Sequence, residues 1–150
     1  MKAHTFLVQL ILVACLPAFG VSAQPDSCEY FFSVLRPVPH AELTRREGSY
    51  KSLWVGKKYT GCEVKFVTND KLLAGRSIPD FDPIEGSEMY RMGWRVNPSF
   101  LADGPGTGVI GVEKEFALCL VRHEQPAYLD ARGSIIQSET LRITVQCRRR

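Results

Sequence analysis

The sequence predicts an all-β fold: a small antiparallel sandwich or barrel, stapled by disulfides, with at most one or two short helical turns. Three observations lead there. Short alternating hydrophobic runs are separated by turn residues. Four cysteines follow a leader of secretory type. The stretch from Gly108 to Cys147 reads as two long strands around a shorter hairpin.

That stretch organises the rest. Phe116, Leu118 and Leu120 fall on one face of a strand and Ala117, Cys119 and Val121 on the other, so both faces require cover. Leu141, Ile143, Val145 and Cys147 alternate with Arg142, Thr144 and Gln146, the pattern of a half-buried strand. Asp130-Ala131-Arg132-Gly133 carries hairpin-turn chemistry, which pairs Tyr128 and Leu129 with Ile135 and Ile136. Folding the chain back at Gly133 brings Cys119 to Cys147, provided that their faces match.

The N-terminus is set apart from the fold. Lys2 supplies a positive charge, Phe6 to Phe19 an apolar run, and Val21-Ser22-Ala23 the small residues of a cleavage site. Residues 1–23 are therefore expected to be a signal peptide and residues 24–150 a single secreted or periplasmic domain, with no membrane span in the mature chain. An alternative reads Leu12-Val13-Ala14-Cys15 as a lipobox that leaves a lipoprotein anchored at Cys15. Under either reading Cys28, Cys62, Cys119 and Cys147 remain. An even number in an exported domain implies two disulfides, with three possible pairings. No Cys-x-x-Cys occurs, which removes the basis for a thiol oxidoreductase or a zinc ribbon.

Along the chain, Cys28 to Leu35 reads as a strand ended by Pro37 and Pro39. His40 to Glu47 reads as two helical turns stopped by Gly48. Tyr50 to Val55 and Tyr59 to Thr68 read as strands, the latter with Cys62, Val64 and Phe66 inward and Glu63 and Lys65 outward. Residues 69–87 read as a long loop, 88–96 as a strand with a helix as the alternative, and 97–106 as another loop.

Little in the chain points to chemistry. Gly106-Thr107-Gly108-Val109-Ile110-Gly111 matches G-x-G-x-x-G, but a strand follows it where a dinucleotide site needs a helix. His40 and His123 have no nucleophile on a shaped turn to serve, and His123 reads as an exposed strand end. Asp80, Asp82, Glu85 and Glu88 cluster without the spacing of a calcium loop. The formal net charge of +3 gives no basis for nucleic-acid binding, and Arg148 to Arg150 reads as a short basic tail. No catalytic residue, metal or cofactor is expected.

The expected function is that of an exported binding or interaction domain, a class that includes inhibitors of secreted enzymes. Its partner would be a protein or glycan of the envelope or exterior. The candidate contact residues are Trp54, Tyr59, Arg91, Trp94 and Arg95, because aromatic side chains flanked by arginine form interface hot spots. At strand spacing the same aromatics more commonly fill a core. The alternatives are a small hydrolase using carboxylates of residues 80–88, and a structural subunit of an envelope assembly, which would expose an apolar patch.

Overall fold

The computed structural model describes residues 27–69, 81, 83 and 85–150. The leader, Cys15, Asp80 and Asp82 lie outside these residues.

The first element is a helix. Ser27–Leu35 forms α1, where a strand was expected. The run CEYFFSVL is apolar enough for either structure, but its buried residues are Cys28, Phe31 and Leu35, a helical spacing. Pro37 and Pro39 end it, as a proline cannot continue a helix.

β1 (Glu42–Lys51) is a strand where two helical turns were expected. Its Leu, Arg and Glu favour a helix locally, but tertiary pairing overrides that preference. Every residue from Glu42 to Lys51 has a partner in β2 (Lys58–Thr68). Strand structure therefore stops at Lys51, and residues 52–57 form a turn in place of the strand expected to Val55.

The 88–96 region divides. Ser87 caps the single turn α2 (Glu88–Arg91), its Oγ accepting from Tyr90 N at 3.1 Å. Gly93, at φ 92°, ends that turn. β3 (Arg95–Gly104) then runs through most of the expected 97–106 loop, with its register broken between Asn97 and Leu101. Pro98 sits in that bulge. It is tolerated there because β3 is an edge strand and lacks a neighbour on one side.

The organising stretch holds three long strands, not two. β4 (Thr107–Lys114) and β5 (Ala117–Glu124) are joined at Glu115 and Phe116. Glu115 takes the left-handed conformation, at φ 51°, without the glycine that usually signals such a turn. β6 (Ala127–Leu129) and β7 (Ile135–Gln137) form the expected small hairpin, with Tyr128 opposite Ile136 and Leu129 opposite Ile135. β8 (Leu141–Arg149) returns between β2 and β5.

The main sheet is antiparallel, in the order β1-β2-β8-β5-β4-β3. The faces of Cys119 and Cys147 do match, since the two are cross-strand partners with Cα atoms 4.0 Å apart and form one disulfide. The other, Cys28–Cys62, ties α1 to β2 across 6.1 Å. Cys62 is also opposite Cys147, so the two bridges lie side by side. α1 covers this face. Phe31, Phe66, Trp94, Val112, Ile143 and Val145 make its core. On the opposite face, the turn after β1 reaches the bulge of β3, where the Trp54 and Phe100 rings meet edge-on at 5.7 Å. Loops from opposite edges thus meet over this face, and the sheet curls beneath them.

Candidate functional site

Three surfaces carry features beyond packing. The first is the face away from α1, where β2, β8 and β5 place Glu63, Gln146 and Leu120 in one cross-strand row. Glu63 was expected outside, and it does face away from the helix. It is nevertheless only 4% exposed, because the 52–57 turn folds over its row. Gln146 fixes that turn. Its Nε2 donates to Lys51 O at 3.0 Å and to Glu63 Oε2 at 2.7 Å, while its Oε1 accepts from Leu53 N at 2.9 Å. Glu63 Oε1 lies 2.8 Å from Arg46 Nη2 and 3.5 Å from Lys65 Nζ.

Burial would raise the carboxyl pKa of Glu63, but the Gln146 hydrogen bond and the Arg46 and Lys65 charges outweigh it and hold the pKa below the ordinary 4.5. A depressed carboxyl pKa gives stability that is fully present above pH 4.5 and is lost as pH falls through the folded value. Glu63→Gln is therefore expected to flatten the acid limb of a stability-against-pH curve measured by urea unfolding. An unchanged acid limb would show that Glu63 does not couple folding to protons.

Beside this row lies a cavity of about 120 Å³, with Phe100, Leu118 and Leu120 among its walls and Tyr59 and Arg148 at one side. The Arg148 guanidinium stands 3.9 Å from the centre of the Tyr59 ring. The neighbouring Tyr50 hydroxyl donates to Cys147 O at 3.0 Å. Burial raises its pKa, with Arg148 opposing and Glu63 and Tyr59 adding to the rise.

The second surface is a groove of about 840 Å³ at the N-terminal end of α1, floored by Cys62 and Cys147 and flanked by Tyr30, Trp94 and Phe116. Both charge signs line it, with Glu29 and Glu47 against Lys114 and Arg149. The sulfurs of Cys28, Cys62 and Cys147 come within 4.8 Å of one another here. All three are in disulfides, so none offers the thiolate that a metal requires.

The third surface is the β6–β7 arm. Tyr128, Leu129, Ile135 and Ile136 are 59, 67, 75 and 38% exposed. A polar clasp holds the base of the arm, with Ser138 N donating to Pro126 O at 2.6 Å and Gln125 Nε2 to Ser138 O at 3.1 Å. At the tip, Asp130 Oδ1 accepts from Arg132 N and Ser134 N, both at 2.8 Å.

The five residues expected at a contact surface do not come together. Trp94 is 2% exposed and packs on Tyr30 and Phe31, so it belongs to the core. Arg95 stacks on Tyr90 at 3.9 Å and donates to the carbonyls of Tyr90 and Trp94. Arg91 is exposed on α2. Trp54 and Tyr59 stand on the other face, Trp54 against the Phe100 ring and Tyr59 in the wall of the small cavity. Glu85 and Glu88, the described members of the acidic cluster, lie before and at the start of α2.

The expected basic tail is the end of β8. Arg148 stacks on Tyr59, and Arg150 pairs with Glu113. Arg148 could have been placed from the sequence, because it continues the alternation of Arg142, Thr144 and Gln146. Phe100 carried no such signal, and the alternation that placed Gln146 on this face did not show its burial.

The G-x-G-x-x-G segment leads into strand β4, as expected, with Gly106 in the turn before it and Gly108 and Gly111 within it. Gly111 leaves room for Phe100, whose Cβ occupies the space that a side chain there would fill. Among the described residues no helix is long and apolar enough to cross a membrane. The two disulfides suit an oxidising compartment. No family model, curated protein or solved structure matches the chain.

Proposed function

We propose that the chain is an exported interaction domain that presents its β6–β7 arm to a cleft in a partner protein, with residues 1–23 removed as a signal peptide. The observation that carries this reading is the exposure of four large apolar side chains on a hairpin only three residues per strand. Tyr128 and Ile136 share one face of the arm, and Leu129 and Ile135 share the other. A flat surface would cover only one of these pairs, whereas a cleft covers both. Lipid would also cover both, but tip-first insertion would carry Asp130 and Arg132 into hydrocarbon, which is costly. In a protein cleft those charges meet polar partners. The Asp130 clasp fixes the turn beforehand and so lowers the entropy lost on binding.

The test is a Leu129→Ser/Ile135→Ser double variant. Both side chains are exposed, so unfolding free energy is expected to stay within about 0.5 kcal/mol of the parent. The oxidised parent is expected to run as a monomer in light scattering and to retain one stoichiometric partner from its own envelope and medium. The double variant is expected to lose that partner. Equal retention by both proteins would remove the arm from the reading. A parent dimer that the double variant dissociates would assign the cleft to a second copy of the chain and favour a structural subunit.

A further inference from the structure

We infer that the cavity between Phe100 and Arg148 is a binding site for a short aliphatic monocarboxylate. The first observation is the state of Arg148. It is half-buried, and no carboxylate pairs with it among the described residues. Its guanidinium lies on the Tyr59 ring, which engages the face of the group and leaves N–H donors at its edge. An arginine whose flat face is held in this way is oriented in advance for a planar carboxylate.

The second observation is the balance of polar groups around the cavity. Gln146 has committed its carbonyl to Leu53 and its amide to Lys51 and Glu63. Tyr50 has committed its proton to Cys147 O. Ser52 Oγ accepts from Trp54 N at 3.1 Å, which leaves its own proton to donate. The side-chain donors left over are thus Arg148 and the hydroxyls of Ser52 and Tyr59, and no acidic side chain lines the space. Such a site suits an acceptor-only, negatively charged group.

The third observation is the remaining wall. Phe100, Leu118 and Leu120 offer an apolar surface for a short chain. The volume of about 120 Å³ sets the length. An apolar cavity of roughly 150 Å³ holds a benzene molecule. Butyrate has as many heavy atoms as benzene, and part of it would extend toward the open side at Arg148. A long-chain acid does not fit. This inference is independent of the arm, which lies in a separate sheet.

The test is a methyl NMR titration of the disulfide-intact parent with sodium butyrate and with butyramide, at equal ionic strength. Butyramide has the same shape without the charge. Butyrate is expected to shift the Leu118 and Leu120 methyls saturably, with butyramide weaker by roughly tenfold or more, the usual margin for a charge-assisted hydrogen bond. Arg148→Met keeps the apolar stem and is expected to abolish the preference for butyrate, whereas Arg148→Lys retains part of it. The comparison in the parent decides the question even if a variant folds poorly. Equal affinity for the two ligands would overturn the site. So would Leu118 and Leu120 methyls that butyrate leaves unshifted, or shifts that sodium chloride matches.

Discussion

Gly61→Ala is expected to cost about 3 kcal/mol of stability, enough to move the urea midpoint far below that of the parent. Gly61 lies in β2, immediately before Cys62. A Cβ there would stand well under 3.0 Å from the Cys147 carbonyl oxygen, and within 3.1 Å of that carbonyl carbon. The obstacle is backbone, so no side-chain rotation relieves it. Nor is Cys147 free to move. Its sulfur is bonded to Cys119, and its carbonyl accepts the Tyr50 hydroxyl. The strain would therefore open the β2–β8 ladder at the row that carries both disulfides. A change below about 0.5 kcal/mol, the range of an ordinary surface substitution, would show that this contact is not tight.

The second large effect is expected from removing the Cys28–Cys62 bridge. Closing a loop of sequence separation 34 stabilises by about 4 kcal/mol in the chain-entropy account. More than chain entropy is lost here. α1 has nine residues, too few to persist alone in water, and it supplies Phe31 and Leu35 to the core. A Cys28→Ala/Cys62→Ala protein is expected to lose the near-UV signal of the Tyr30, Phe31 and Trp94 rings at denaturant concentrations where the sheet still absorbs as β structure. Cys119→Ala/Cys147→Ala is expected to leave that signal in step with the sheet, because β5 and β8 remain joined by their own ladder. Coincident transitions in both variants would mean that helix and sheet unfold as one unit whichever bridge is cut.

What the sequence made legible follows from strict periodicity. β2 and β8 alternate in sequence, which placed β2 to within one residue and fixed the start of β8, although β8 runs on through Arg149 where a tail was expected. The Asp130–Gly133 turn has one dominant chemistry, so the pairing of the arm was read correctly. That fold-back left the Cys119–Cys147 bridge conditional on matching faces, and the β5–β8 register supplies the match.

What was missed has physical reasons. The short apolar run of α1 fits both periods, and only its bond to Cys62 and its seat on the sheet make it a helix. β1 is built of helix formers and becomes a strand because β2 pairs with all of it. The turn at Glu115 lacks glycine, and the α2 turn is too short to show a period. Of the proposed contact residues, Trp94 turned inward, while the exposure of the arm was hidden, since Leu, Ile and Tyr in a strand normally point to burial. The cavity beside Arg148 depends on Phe100, which a bulge in the opposite edge of the sheet carries into place.

Amide hydrogen exchange of the oxidised protein, alone and with its captured partner, tests the central claim most directly. Residues 128–136 are expected to gain the largest protection, with the β2, β8 and β5 ladder unchanged. Protection confined to the main sheet or to the groove beside α1, with the arm exchanging as fast as before, would contradict the arm as the site of binding.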